Sequence, residues 1–319
     1  MWFIYAIVTL LFWAVADLFY KIGNKDEDNN SHLKTGIMVG LVMGIHASIY
    51  LVVNGINFSL MDLIKYLPVS FFYITSMIIG YKGLKYLELS ISSPIQNCSG
   101  VITSILLFLI FRETLGILDI IGIIIIGIGV SCLSIFERNS QKKELALLKK
   151  KLKKEREKDK FLKFKKKEKI KKIATFTALI FPLLYCILDG AGTFLDSIYL
   201  DKLELIGEDP ALIAYEYTFF IYGLVVFIYL KFFKKEEIGV LKVKSRLFAA
   251  VFETLGQFFY VFAISGNSTL ACPIIASYSM VSVLLSRVFL KEKLNIWEYI
   301  SIFIVLLGIV ILGISEGLA

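Results

Sequence analysis

Long apolar runs separated by short polar punctuation dominate this chain. Ten runs reach, or nearly reach, the roughly 20 apolar residues that a helix needs to cross a hydrocarbon core about 30 Å thick. They occupy 2–20, 36–53, 67–86, 91–111, 117–136, 173–199, 211–233, 247–264, 270–290 and 296–315. Strands of a membrane barrel would be about ten residues long with alternating polarity. These runs are twice that length and uniformly apolar, so the pattern predicts an all-α membrane protein with ten transmembrane helices. The turns are mostly short, which makes neighbouring helices antiparallel. Pro68 and Pro210 are expected at helix starts, where the missing N–H costs nothing. Pro94, Pro182 and Pro273 lie within runs.

The pattern repeats. A shift of 179 residues aligns the third to fifth runs of each half without gaps, pairing Pro94 with Pro273 and Thr103 with Ser282. Arg112-Glu113-Thr114-Leu115 meets Lys291-Glu292-Lys293-Leu294, and Gly129 meets Gly308. Asp119 meets Glu298, and upstream Tyr81 meets Tyr260. Near the first run a slightly different shift pairs Trp13 with Tyr185 and Asp17 with Asp189. The chain therefore divides into a first repeat at 1–136, a linker at 137–172 and a second repeat at 173–319.

Composition agrees: 57% of residues are hydrophobic, against 45–50% in soluble domains. The net charge of +8 is not spread over a face. Residues 137–172 hold 18 of the 35 Lys and Arg, which argues against nucleic-acid binding. Basic residues concentrate in cytoplasmic loops. With ten crossings, 32 of them fall on the linker side and three on the other. The linker is then cytoplasmic and both termini lie outside. Five helices per half force the repeats into opposite orientations, the arrangement of secondary transporters that bind cargo near the midplane. Ala14-Val15-Ala16 has the look of a signal-peptidase site, but no Lys or Arg precedes the first run, so it reads as a retained helix. The linker reads either as a segment drawn to anionic lipid headgroups or as a solvated spacer. Its Leu145, Leu148 and Leu152 make a short apolar stripe.

Both halves carry Ser-Pro or Cys-Pro (Ser93-Pro94, Cys272-Pro273), then an apolar helix. A basic residue, Glu, any residue and Leu follow, and a glycine-containing helix closes the half. This resembles the EamA-type half of the drug/metabolite transporter superfamily. The resemblance covers nearly the whole chain outside the linker. It implies an inverted-repeat carrier of ten helices for amino acids, sugars or related metabolites, often exporting them. The long basic linker departs from the short connector common in that family, and the charge count departs from termini placed inside.

No enzyme signature is present, and no cofactor or metal is expected. Ionisable residues inside spans mark functional sites by default. Asp189 lies mid-span in the sixth run. Glu253, Gln257 and Tyr260 form a polar stripe in the eighth run at i, i+4 and i+7, and the third run carries Tyr73, Met77 and Tyr81 in the matching place. Asp17 reads as a site carboxylate or as the partner of Lys21 four residues on. Glu216 stands between two tyrosines, and Asn97 follows Pro94. His46 reads as a relay or as a packed hydrogen-bonding group. Asp196 lies one heptad beyond Asp189. A buried carboxylate costs free energy while charged, so these groups suit proton coupling or an amino-bearing substrate. Pro94 and Pro273 are candidate helix breaks for alternating access. Gly36, Gly40 and Gly44 put three small residues on one face of the second run, for packing within a monomer or across a homodimer. The expected function is carriage of a small metabolite across the cell membrane. The alternative is a non-transporting sensor or scaffold of the same fold.

Overall fold

A computed structural model describes residues 1–24, 28–87, 89–112, 115–154, 180–236, 238–239, 243–292 and 294–318. Among these residues the secondary structure is helical throughout, with no strand. The chain begins with α1 (Trp2–Gly23), α2 (Ser31–Asn54) and α3 (Leu60–Gly83). It continues through α4 (Leu89–Gln96), α5 (Cys98–Phe111) and α6 (Ile117–Lys154). Then come α7 (Ile180–Ser197), α8 (Glu208–Ile228), α9 (Lys244–Ala276), α10 (Tyr278–Leu285) and α11 (Ile296–Leu318). The ends of α7, α8 and α10 widen into single π-helical turns.

Eight stretches of described helix are long and apolar enough to cross a membrane, and Ile117–Leu133 is a shorter apolar helix. The eighth and ninth predicted runs share one stretch, Lys244–Leu290, of 47 residues. As a straight helix it would measure about 70 Å, more than twice the hydrocarbon thickness. It is not straight, because Asn267 leaves helical geometry at φ −170° and ψ 90°. The Asn267 side chain accepts the Leu270 N–H at 3.0 Å, capping the helix that resumes beyond it. Helix α3 starts earlier than the run 67–86 indicates. Ser59 and Asp62 form a capping box, which satisfies two orphan N–H groups at once. Pro68 consequently sits inside α3 and not at its start, a correction to the sequence reading. Helix α6 continues beyond its apolar part into the linker as far as Lys154. Residues 155–179 lie outside the described set, and with them much of the linker at 137–172 that reads as a lipid-drawn segment or a solvated spacer.

Helix pairs join the two halves. Helix α1 packs along α9, α3 along α7, α2 along α8 and α6 along α11. Small residues set two of these distances. A Cβ on Gly40 would stand 2.5 Å from the Phe219 carbonyl oxygen, so α2 meets the backbone of α8 directly. The Gly36, Gly40, Gly44 face is used within the chain, against Tyr222, Phe219 and Phe220. At the α6–α11 contact, Gly129 faces Val305 and Gly308 faces Ile126. The outward faces carry exposed Ile, Leu, Val and Phe, among them Ile45, Ile49, Ile124, Phe303 and Val310.

Loops sort to two ends. At the end shared with the linker, Lys34 bridges Asp28 at 3.0 Å and Glu236 at 3.1 Å. Arg246 reaches Ser31 at 2.9 Å and Asp28 at 3.6 Å. Lys21 donates to the carbonyls of Leu84 and Leu87. At the opposite end, Tyr50 bonds Asp209 at 2.8 Å, and Ser265 bonds Glu208 at 2.6 Å. Trp2 bonds Glu316 at 2.7 Å there.

Candidate functional site

Between the halves lies a cavity of about 70 Å³ open to the centre of a water molecule. A single water needs roughly 10–15 Å³ on that measure, so the space holds several waters or a small molecule. Helix α1 contributes Trp13, Asp17 and Tyr20, and α3 contributes Tyr73, Met77 and Tyr81. The α4–α5 junction adds Gln96, Asn97 and Ser99. From the second half come Tyr185, Asp189 and Thr193 on α7, and Tyr215 on α8. Glu253, Gln257 and Tyr260 on α9 and Tyr278 on α10 complete these walls.

Helical spacing explains the composition. Asp17 and Tyr20 are three residues apart, and Glu253, Gln257 and Tyr260 follow at four and three, so each group shares one helix face. Three carboxylates result, one from α1, one from α7 and one from α9. Each meets a neutral hydroxyl. Ser93 donates to Asp17 at 2.5 Å, Ser99 to Asp189 at 2.7 Å, and Tyr20 to Glu253 at 3.2 Å. Asp17 and Glu253 are buried, and Asp189 is partly exposed. Both Asp17 and Asp189 lie close enough to Glu253 for their charges to act on it. Among the described residues that line the cavity there is no Lys, Arg or His.

Aromatic rings form the rest of the wall. Trp13 stacks on Tyr260 with centroids 5.0 Å apart and meets Tyr278 edge-on at 6.0 Å. Tyr73 and Tyr260 share a hydrogen bond, and Tyr73 also donates to Thr193 at 3.1 Å. Four buried polar atoms on described lining residues have no hydrogen-bond partner: Trp13 Nε1, the Tyr81 hydroxyl, Gln96 Nε2 and Gln257 Nε2. Buried polar atoms are normally satisfied, so a group supplied from outside the chain would complete them.

The structure gathers Asp17, Asn97, Asp189, Glu253, Gln257 and Tyr260 on this cavity. Glu216 and His46 are elsewhere. His46 Nδ1 lies 2.8 Å from both Glu216 carboxylate oxygens, tying α2 to α8 away from the lining. Asp196 is buried behind it and accepts from the Tyr66 hydroxyl. Pro94 and Pro273 are not on the lining, but each precedes an interruption. Helix geometry breaks at Asn97, between α4 and α5, and at Ser277, between α9 and α10. Proline removes the N–H that would bond the carbonyl four residues back. For Pro273 that carbonyl belongs to Thr269, and the Ser104 hydroxyl from the other half donates to it instead.

Several lining residues escaped the sequence reading: Tyr20, Gln96, Ser99, Tyr215 and Tyr278. Aromatic residues within apolar runs give no contrast, and 16 tyrosines dilute the signal. Trp13 and Tyr185 stood out only as a repeat pair.

Known proteins give two points of comparison. The chain is 28% identical over 144 residues to an uncharacterized protein of Methanocaldococcus jannaschii, covering 44% of this chain and 98% of that protein. The EamA-like transporter family matches residues 1–135 and 176–314. With helices of spanning length around a polar cavity and both halves matched, the chain belongs to the EamA-like transporter family, part of the drug/metabolite transporter superfamily.

Proposed function

We propose that the protein is a secondary transporter that moves a small metabolite through the cavity between two inverted repeats, by alternating access. The observation that carries this reading is that residues paired by the internal repeat face one shared space. Asp17 and Asp189, Trp13 and Tyr185, and Tyr81 and Tyr260 all line the cavity, and Gly129 and Gly308 meet in one helix contact. The helix pairing has the same symmetry. Exchanging each helix for its counterpart turns the α1–α9 contact into the α7–α3 contact and maps α2–α8 and α6–α11 onto themselves. A relative that is half as long as this chain supports duplication of a shorter unit. The ten-crossing count rests on reading Lys244–Leu290 as two spans hinged at Asn267, and Ile117–Leu133 as a span extended by the helix beyond it.

In this reading the gathered basic loops and the linker are cytoplasmic and the termini lie outside. Labelling of Ser140→Cys by an impermeant reagent on intact cells would reverse that orientation. The interruptions at Asn97 and Ser277 are the bending points, and protonation of the chamber carboxylates couples cargo to a proton gradient. Transport is tested with the full chain in liposomes, by counterflow of a metabolite panel with and without a pH gradient. Substrate-dependent flux is expected, and Asp189→Asn or Glu253→Gln should abolish it. Sensor or scaffold behaviour would appear as no flux of any compound, together with an unchanged cellular phenotype in both variants.

A further inference from the structure

The chamber has an unbalanced electrical inventory. Asp17, Asp189 and Glu253 face it from three helices, and among the described residues their donors are hydroxyls, including those of Ser93, Ser99 and Tyr20. No Lys, Arg or His lies among the described lining residues. Cations on the flanking segments have other partners: Arg246 holds Gly23, Ser31 and Asp28, and Lys21 reaches the carbonyls of Leu84 and Leu87. Taking a carboxylate out of water without a counter-charge costs several kcal/mol. The lining itself supplies no positive charge, so these carboxylates are neutralised either by protons or by a cation that enters the chamber.

Three observations narrow what that is. Among the described residues no group of three His, Cys, Asp or Glu side chains is placed to hold a metal ion. Trp13, Tyr260 and Tyr278 present ring faces and edges in one corner, and aromatic faces attract organic cations. Finally, the Nε2 atoms of Gln96 and Gln257, on side chains each only 3% exposed, have no partner and line the same space.

We infer that the cargo of this chamber is a small organic ammonium compound, held by Asp17, Asp189 and Glu253 against the Trp13, Tyr260 and Tyr278 rings. This rests on the transporter reading for the word cargo, but the ligand class stands on the site alone. An anion would add to the repulsion among the carboxylates. A sugar would leave the carboxylates to be neutralised by protons alone. A zwitterion such as an amino acid would bring a carboxylate with no cationic partner on the lining. The unpaired amides of Gln96 and Gln257 suit a hydroxyl or carbonyl carried by the same compound.

The test uses the purified full-length chain in detergent at neutral pH, with ligands matched in length and differing in charge. These are butylamine, butane-1,4-diamine, butan-1-ol, butyrate and 4-aminobutyrate, read by calorimetric titration. Butylamine and the diamine should bind, with butanol, butyrate and the zwitterion at least about tenfold weaker, equivalent to about 1.4 kcal/mol. Asp189→Asn and Glu253→Gln, which preserve shape, should weaken butylamine by a similar factor. Butanol or butyrate binding as tightly as butylamine, or no ammonium binding at all, overturns the inference from the wild-type protein alone, whatever the variants' folding. Ammonium binding without flux in liposomes would instead sink the transporter reading and leave the ligand class intact. Flux of an anion or sugar without ammonium binding would do the reverse.

Discussion

Thr269 is a compact case of accounting for one buried backbone group. Its carbonyl loses the usual helix partner because Pro273 has no N–H, and the Ser104 hydroxyl of the first half fills the gap. A buried carbonyl left without a donor costs about 1–3 kcal/mol. Ser104→Ala is therefore expected to lower the midpoint of thermal unfolding by that equivalent, with no change in residues lining the chamber. Ser104→Thr keeps the hydroxyl and should retain most of the stability; equal losses in both variants would dissociate the effect from the hydrogen bond. Nothing in the sequence singled out Ser104. Its role exists only because the two halves bring 104 and 269 together, whereas the cost at Pro273 can be read from the proline itself.

At the scale of elements, contact between helices depends on how closely their backbones come. In lipid, apolar side chains gain nothing by leaving one another for the bilayer, so association relies on close packing and small residues. The α2–α8 pair follows this rule. Gly40 lies against the Phe219 carbonyl, which is backbone and cannot rotate away from an added methyl. Gly40→Ala should force the pair apart and destabilise the protein by about 1–3 kcal/mol, seen as a lower melting point and loss of monodispersity in gel filtration. Gly55→Ala, where a Cβ would meet nothing but φ is +61°, would destabilise through backbone strain without moving α2 from α8. The glycine spacing was legible along the chain, but its partner was not. Three small residues on a face specify an approach without saying which helix approaches.

At the scale of the whole molecule, the loops at the linker end tie the two halves together through charge. Asp28, between α1 and α2, accepts from Lys34 and the Asn30 N–H and lies 3.6 Å from Arg246 of α9. Partial burial pushes the Asp28 carboxyl up. The hydrogen bond and charge of Lys34, the Asn30 N–H and the Arg246 charge outweigh this and hold it below its usual value. A depressed folded value stabilises the native state above the unfolded value of about 3.9, and that contribution is lost as pH falls through the folded value. The difference in melting point between wild type and Asp28→Asn should accordingly be constant from about pH 8 to 5 and shrink below about pH 4. A gap that widens on acidification would contradict the assignment. In the proposed carrier this cluster lies at the linker-side mouth, so the same variant should also raise the rate of exchange in liposomes while leaving butylamine binding in detergent unchanged.

The apolar runs determine by themselves that this is a multi-helix membrane protein, because only lipid can accommodate that much unbroken hydrophobic surface and only helices of that length satisfy their own backbones there. The repeated Pro, basic-Glu-x-Leu and Gly positions likewise carry the resemblance to the family that the match over 1–135 and 176–314 shows, since matching spacing needs no third dimension. Asp17, Asp189, Glu253 and Gln257 were visible as costly residues in apolar surroundings. Their convergence was not, and neither was the separation of Glu216 and His46 into a pair of their own. Tertiary structure decided which polar residues share a cavity, and with them the aromatic wall and the missing counter-charge. A helix periodicity says which residues share a face, but the neighbour of that face is set by packing between segments more than a hundred residues apart.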